Sequence, residues 1–497
     1  MQKREIWATR IGLVFAAAGN AIGLGNLLRF PSKVALYGGG AFIIPYFISF
    51  FLLGIPLMIL EWTIGRYAGS KGHGSMIGIM GEFFNHSYLA RIIGSLGVAI
   101  PFLIVCYYIY IESWTLGFAF LSLFQKLPLP TQTGDPQLMM MPFLKFYKSY
   151  TQPSFWAVLF LIITLVINWY ILNRGIIRGI EITAKIGIPA LLLMGVFLSF
   201  VSLSINNWKG LEGLCFIFKP DFSRLLDPQV WVEASGQIFF TLSLAMGAIA
   251  TYASYVKKNE DVLKTGLYTA GLNEFVEIVI GASIAIPAAF AMFGASSIPE
   301  LAKEGTFRIG FMSMPAILMA LPFGSYLSFI WFFLLFIAAL TSSLALSQPL
   351  VALFEDELKF PRSKAVNVSM IMISIGAFFS AFVPDFLDEL DFWAGTLFLI
   401  VFGFIEILAF VWIFGVENFY RELTRDVFFK IPKTMVYIFY GASSIFIGVL
   451  FYFWTTVKLP EYLGQISWNL IISRGFIITS LLILILIAIE SKKYINS

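Results

Sequence analysis

The architecture of this chain turns on one run, Gly19-Asn20-Ala21-Ile22-Gly23-Leu24-Gly25-Asn26-Leu27-Leu28-Arg29-Phe30. It lies in the first apolar segment, where a plain membrane helix would carry bulk leucine and isoleucine, yet it holds three glycines and two asparagines. Glycine weakens a helix and lets the backbone leave it, and asparagine brings polar atoms that hydrocarbon tolerates only where protein or an aqueous cavity receives them. A phosphate loop fits poorly, because Gly23-Leu24-Gly25 lacks a third glycine at the right spacing and follows no strand. Gly19 and Gly23 also form a GxxxG, whose simpler meaning is close helix packing. The reading taken is a broken helix whose exposed main chain binds small polar ligands near the middle of a membrane.

Composition supports the membrane setting. The chain has 497 residues, 59% hydrophobic and 12% charged, with a mean hydropathy of +0.85. A soluble enzyme would carry about 25% charged residues, so this is a polytopic membrane protein. Lys3, Arg4 and Ala16 to Ala18 mimic a signal peptide, but the apolar run continues to Leu28, so the segment reads as the first transmembrane helix. About twelve apolar segments reach the roughly 18 residues needed to cross the hydrocarbon. They fall near 11–36, 40–68, 89–124, 154–172, 176–204, 229–256, 262–293, 324–356, 364–382, 389–413, 434–456 and 469–491. Most of the 33 Lys and Arg fall on the face shared by both termini, which predicts a plasma (inner) membrane protein with both termini cytoplasmic. Cys106 and Cys215 imply no disulfide framework, and two histidines, His73 and His86, supply no convincing metal cluster. The net charge of +4 is spread along the loops and does not suggest nucleic acid.

A second interrupted helix is expected in the sixth segment, where Gln237-Ile238-Phe239-Phe240-Thr241-Leu242-Ser243-Leu244-Ala245-Met246-Gly247 mixes hydroxyls and small residues. It opens a second set of five helices, and paired broken helices point to an inverted-repeat transporter with its site between the halves. The division expected is 1–204 and 205–413 for the two halves of a transport core, and 414–497 for accessory helices eleven and twelve with a tail. The outer loops are placed at 125–153, 205–228 and 294–323, the last opening with a short surface helix from Ser297-Ile298-Pro299-Glu300. Glu61, Glu112, Asn273, Glu277, Thr341, Ser342, Ser343 and Glu406 fall inside apolar segments. A charged group at the membrane centre costs about 2.5–3.5 kcal/mol or more unless partnered. Glu61 can accept hydrogen bonds from amides freed where a helix unwinds. Thr341-Ser342-Ser343 reads either as tight helix packing or as oxygen ligands for a small hard cation.

Together, Trp7-Ala8-Thr9-Arg10, Gly19 to Pro31, Gly38 to Phe42, Glu61-Trp62, Tyr107-Tyr108, Gly236 to Ser243, Leu272-Asn273-Glu274, Thr341-Ser342-Ser343 and Asp391 to Gly395 resemble the neurotransmitter:sodium symporter family, its bacterial leucine-transporter members in particular. The resemblance implies a substrate carboxylate at the Leu24 and Gly25 amides and the Tyr108 hydroxyl. It places the amine at carbonyls of Ala21, Phe240 and Thr241 and at the Ser243 hydroxyl, with Asn20, Gly23, Ile104, Met246, Ser342 and Leu346 also in the substrate site. Two sodium ions are implied: one at Ala21, Asn26, Thr241, Asn273 and the substrate carboxylate, the other at Gly19, Ile22, Ala338, Thr341 and Ser342. Arg29 and Asp391 would form an outer gate, with Tyr108 and Phe240 closing over the ligand. Arg4, Asp356, Trp7, Ser254 and Tyr255 would latch the inner side.

Gly23 stands where monoamine-binding members have Asp, so the ligand is expected to bring its own carboxylate. Glu277 stands where chloride-dependent relatives have Ser, so the resemblance implies chloride independence and suggests proton return through Glu277. Ile104, Met246, Leu346 and Ala245 depart from the leucine-transporter pattern, and one methylene changes discrimination by only about 1–3 kcal/mol, so no single amino acid is selected. The resulting expectation is an all-α, twelve-helix, sodium-coupled symporter of hydrophobic neutral amino acids, with lipid and amino acid as partners and a homodimer left open. No Walker lysine motif or catalytic constellation points to an enzyme, and a channel would need a continuous polar pore. A carrier of another carboxylate-bearing solute such as an osmolyte, or an amino-acid sensor on the same fold, are the alternatives.

Overall fold

The computed structural model describes residues 5–131, 135–303, 305–464 and 467–494. Among them the secondary structure is helical, apart from one isolated bridge between Gly39 and Pro220. Among the described residues ten helices are long and apolar enough to cross a membrane: Gly40–Gly69, Tyr88–Leu123, Phe155–Asn173, Ile176–Phe218, Val262–Phe293, Gly324–Glu357, Arg362–Phe382, Phe386–Ile413, Lys433–Thr456 and Trp468–Lys493. An eleventh span is the pair Arg10–Ala21 and Gly25–Leu36, bent by 50° at its break. The remaining segment consists of two shorter helices, Pro228–Thr241 and Ala248–Ala253, so neither half alone has the length of a span. Counted in chain order, the two broken elements are the first and the sixth, and each opens a set of five.

Polar caps punctuate the apolar runs. The side chains of Thr9, Ser87, Ser154, Asp227, Asp261 and Ser467 each accept from an amide two or three residues on, starting the first, third, fourth, sixth, seventh and twelfth helices. Pro228 follows its cap at the first helical position, where a missing N–H costs nothing. In the apolar window of the third helix 83% of residues are buried, against 22% in the twelfth, so the third helix sits at the core and the twelfth at the lipid-facing margin.

Both breaks follow from local chemistry and from neighbours. In the first, Ile22 leaves helical geometry with ψ of 91°. A Cβ at Gly23 would lie 2.8 Å from the Tyr108 hydroxyl and 3.0 Å from Ser342 Oγ, so glycine admits both to the main chain. In the sixth, Ser243, Ala245 and Gly247 all have left-handed φ, of 53°, 57° and 66°, which unwinds residues 242–247. Such a run is costly for residues bearing a Cβ and persists only when its surroundings hold it.

Two of the segments expected as outer loops contain more helix than the sequence suggests. The stretch 125–153 holds the helix Pro136–Thr151, capped by Asp135 and buried along Met139, Met140 and Phe143. The fifth span does not end near 204: Asn206, Asn207 and Trp208 turn it at φ of 48°, 57° and 68°, and helix then continues to Phe218. The short helix Ile298–Lys303 lies where the capping pattern placed it, preceded by a 3₁₀ turn at Ala295–Ser297.

Candidate functional site

The two breaks face each other. A small cavity between them is lined by Asn20, Ala21, Gly23, Gly25, Asn26, Ile104, Tyr108, Phe240, Ser243, Met246, Ser342 and Leu346. Its volume is about 20 Å³, room for about one water, so its own side chains leave no space for a larger ligand. The polar wall is satisfied internally for the most part: Leu24 N donates to the Tyr108 hydroxyl at 3.2 Å, and the Ser243 hydroxyl donates to the Asn20 carbonyl at 3.0 Å. The exception is Asn20 Oδ1, buried without a hydrogen-bond partner. Of the residues expected around a substrate, Leu24 and Thr241 do not line the cavity with the others; Leu24 reaches it through its amide.

Behind the cavity a polar knot joins the breaks to the seventh helix. Asn26 Oδ1 accepts from Gly23 N at 2.9 Å, while Asn26 Nδ2 faces Thr241 Oγ1, Asn273 Oδ1 and Glu277 Oε2 at 3.0, 2.9 and 3.1 Å. The Thr241 hydroxyl donates to Glu277, and Gln237 Nε2 donates to its other oxygen at 2.7 Å. The carboxamide atom of Asn273 that faces Asn26 also lies 3.3 Å from the carbonyl oxygens of both Ala21 and Thr241. As oxygen, it makes a cluster of three acceptors with no hydrogen between them, the donor set a hard cation takes; as nitrogen, it bridges both carbonyls.

A second group of oxygens lies where the first helix meets the eighth. Ser342 Oγ is 3.1 Å from the carbonyls of Gly19 and Ala338 and 3.3 Å from that of Asn20, and Thr341 Oγ1 is 3.1 Å from those of Ile337 and Ala338. Ile22 marks the helix end beside them, its amide still bonded to Ala18. Glu61, fully buried, accepts from the Ala245 amide at 2.7 Å, in the middle of the unwound stretch.

Arg29 and Asp391 do not make the direct ion pair expected of them. The Arg29 guanidinium sits over the Phe240 ring, 4.9 Å from its centre, and Asp391 accepts from the Tyr107 hydroxyl at 2.7 Å. The carboxylate is thus held by an aromatic hydroxyl and the cation by an aromatic face. On the opposite side Trp7 is buried: its indole donates to the Tyr252 carbonyl at 3.0 Å and its amide to that of Tyr255 at 3.1 Å. Gln348 Nε2 donates to the Tyr255 hydroxyl at 2.9 Å, and Ser254 Oγ to the Thr251 carbonyl at 2.6 Å. The expected partner of Asp356, Arg4, lies outside the described residues. A roomier cavity of about 250 Å³, at the far end between Asp135, Gln137, Met140, Glu300 and Arg308, contains none of the expected residues.

A sequence model of the sodium:neurotransmitter symporter family matches residues 4–136 and 143–494, nearly the whole chain. The chain belongs to that family. As a family member it is a membrane transporter of the sodium-coupled kind and not an enzyme. An uncharacterized sodium-dependent transporter of Methanocaldococcus jannaschii is 29% identical over 97% of each chain. The sodium- and chloride-dependent GABA transporter 2 of Rattus norvegicus is 26% identical over 86% of this chain and 76% of its own. The crystal structure of MhsT in complex with L-phenylalanine superposes with a TM-score of 0.78 at 29% identity, covering 90% of this chain and 99% of that one.

Four polar contacts of this symporter-family chain have little or no signal in the sequence. Gln237 completes the Glu277 pocket, Tyr46 donates to Glu274 beside it at 2.8 Å, and Glu181 accepts from Ala8 N at 2.8 Å and from the Thr9 hydroxyl at 2.7 Å. A glutamine in a predicted membrane helix was the available signal for the first. Glu181 gives none, because a carboxylate at the start of a span reads as a solvated end.

Proposed function

We propose that the chain is a sodium-coupled symporter of hydrophobic neutral amino acids that works by alternating access around the two breaks. The observation that carries this reading is the composition of the cavity wall: main-chain and neutral polar groups together with Ile104, Phe240, Met246 and Leu346, and no ionised side chain among the residues that line it. A zwitterion with an apolar side chain matches such a wall, its carboxylate taking the Leu24 and Gly25 amides and the Tyr108 hydroxyl. Its ammonium takes the carbonyls of Ala21, Phe240 and Thr241, the Ser243 hydroxyl and the orphaned Asn20 Oδ1. Entry must widen the cavity and break the Tyr108–Leu24 bond, since the space is too small for any amino acid. MhsT, which superposes on this chain, was crystallised with L-phenylalanine, and its apolar ligand supports the same substrate class.

In this reading sodium is cargo. One ion takes Ala21, Asn26, Thr241, Asn273 and a substrate carboxylate oxygen; the other takes Gly19, Ile22, Ala338, Thr341 and Ser342. A ligand oxygen shared with the first ion makes each improve the other's affinity by the same factor. Residues 1–204 and 205–413 form the halves of the core, and 414–497 the accessory part. In this reading the Glu277 carboxylate, hydrogen-bonded by Thr241, Gln237 and Asn26, is held ionised by the sodium ion beside it and takes the place of chloride, so chloride is not required.

The test is uptake of a labelled amino-acid panel into proteoliposomes. Accumulation of apolar amino acids that collapses without an inward sodium gradient is expected; sodium-dependent binding without accumulation would identify a sensor, and preference for an osmolyte would identify the alternative carrier. Removing chloride should leave uptake unchanged in the unaltered chain, while Glu277→Ser should make uptake rise with chloride. Chloride dependence of the unaltered chain refutes the assignment to Glu277.

A further inference from the structure

The two histidines of this chain, separate in sequence, share one small site in the fold. They flank the helix Met76–Phe83, and their ring centres are 5.6 Å apart. Asn85 and His86 adopt left-handed φ of 51° and 50°, which turns the chain back so that His86 N bonds the Gly81 carbonyl at 2.7 Å. Both imidazoles then lie on one bare stripe of the helix. A Cβ at Gly81 would sit 3.0 Å from His86 Nδ1, and one at Gly78 would sit 2.8 Å from His73 Nδ1 and collide with the Glu357 carboxylate.

The arrangement also sets which nitrogens are available. His73 Nδ1 is 2.6 Å from Glu357 Oε1, and Arg91 Nη2 donates to the other oxygen of that buried carboxylate at 2.8 Å. A histidine whose one nitrogen is held by a carboxylate presents the other as a ligand, with its tautomer and orientation fixed. His86 Nδ1 is buried without a partner, and its Nε2 is 3.6 Å from Glu82 Oε2, longer than a hydrogen bond. The remaining oxygen of Glu82 pairs with Lys71 at 2.7 Å. One nitrogen from each histidine and one Glu82 oxygen lie within 4.8 Å of one another.

We propose that His73, His86 and Glu82 form a binding site for a divalent transition metal such as Zn²⁺, with Glu357 positioning His73 from behind. Two imidazole nitrogens and a carboxylate oxygen are a zinc-type donor set, and tetrahedral bonds of about 2.0–2.2 Å require ligand atoms roughly 3.3 Å apart, a closing movement of about an ångström or two. The three side chains are partly exposed, at 12%, 25% and 15%, so the ion enters from water and keeps a water in its fourth position. Lys71 on Glu82 opposes binding, and Arg91 on Glu357 holds the neighbouring carboxylate. A bound ion joins the end of the second span to the loop before the third. Through His73 it also joins Glu357 at the end of the eighth span, next to Asp356 of the expected inner latch. The site stands independently of any choice of substrate.

The experiment uses the full chain purified in detergent without a polyhistidine tag and stripped of metal. Zn²⁺ binding is followed by calorimetry and the coordination geometry by the absorption of Co²⁺. One ion per chain and a tetrahedral cobalt spectrum are expected, with affinity falling at least ten-fold in His73→Asn, His86→Asn and Glu82→Gln and vanishing in the double histidine variant. Lys71→Met should tighten binding several-fold by freeing Glu82, a gain that misfolding does not produce. Absence of zinc binding in the unaltered chain, or equal binding by the double histidine variant, overturns the site. An affinity unmoved by Lys71→Met rejects the ligand set with Glu82.

Discussion

Ser342 shows how much one side chain can be asked to do. Its hydroxyl touches the carbonyls of Gly19, Asn20 and Ala338 and also lines the cavity, so it stands between the proposed second ion and the proposed substrate. A serine hydroxyl donates once but has two lone pairs, so it can bond a carbonyl and still give oxygen to a cation. Replacing Thr341 and Ser342 together by Ala is expected to weaken sodium-dependent amino-acid binding by ten-fold or more, about 1.4 kcal/mol or above. Scintillation proximity binding across a sodium titration reads this directly, and an unchanged sodium midpoint would remove these residues from the ion site. Gly23 presents the opposite case, a residue valued for what it lacks. Any Cβ there presses on Tyr108 and Ser342 together.

Among the elements, the sixth helix carries the more demanding break. Three left-handed residues in five are held by Glu61 on the Ala245 amide and by the packing of Gly247 against the third helix, where a Cβ would come within 2.6 Å of the Gly97 carbonyl. Gly247→Ala combines that overlap with an unfavourable φ, and a loss of about 1–3 kcal/mol is expected, seen as a lower Tm in detergent. Ala245→Gly relieves strain at a left-handed position and should not lower Tm. Equal Tm values for Gly247→Ala and the unaltered chain would mean that residues 242–247 are not held as described. The N-terminal segment is an element of another kind, fixed by Trp7 and by the capture of Ala8 and Thr9 on Glu181. Hydrogen exchange at those two amides should accelerate at least ten-fold in Glu181→Ala, since their acceptor is gone. Unchanged exchange would show that Glu181 does not hold the segment.

For the whole molecule, the distribution of Lys and Arg predicts which face meets the cytoplasm. The chain offers its own reporters, because Cys106 is buried in the third helix and Cys215 is exposed on the helical extension of the fifth. A membrane-impermeant maleimide should label intact cells at Cys215, with Cys215→Ser abolishing the signal. Labelling that appears only after permeabilisation would invert the orientation. The contrast between a buried third helix and an exposed twelfth gives the molecule a core that holds the site and a margin that meets lipid, where Ile478, Leu482 and Leu486 are exposed.

Whatever depends on nearby residues is legible in the order of the amino acids. Three glycines and two asparagines inside a hydrocarbon-length run make an unbroken helix at 19–30 untenable, and the order of twelve apolar runs, with a second hydroxyl-rich interruption at the sixth, specified the class of fold. Contacts between residues far apart in the chain emerge from the packing of the helices. Arg29 rests on Phe240 instead of Asp391, Gln237 reaches Glu277, and Glu181 holds the N-terminal segment. His73 and His86 meet because two left-handed residues turn the loop back over two glycines. Backbone preference acts over a turn or two of helix and is written in composition. The partner of a buried charge is chosen by which helix faces pack together, and an isolated segment does not contain that information.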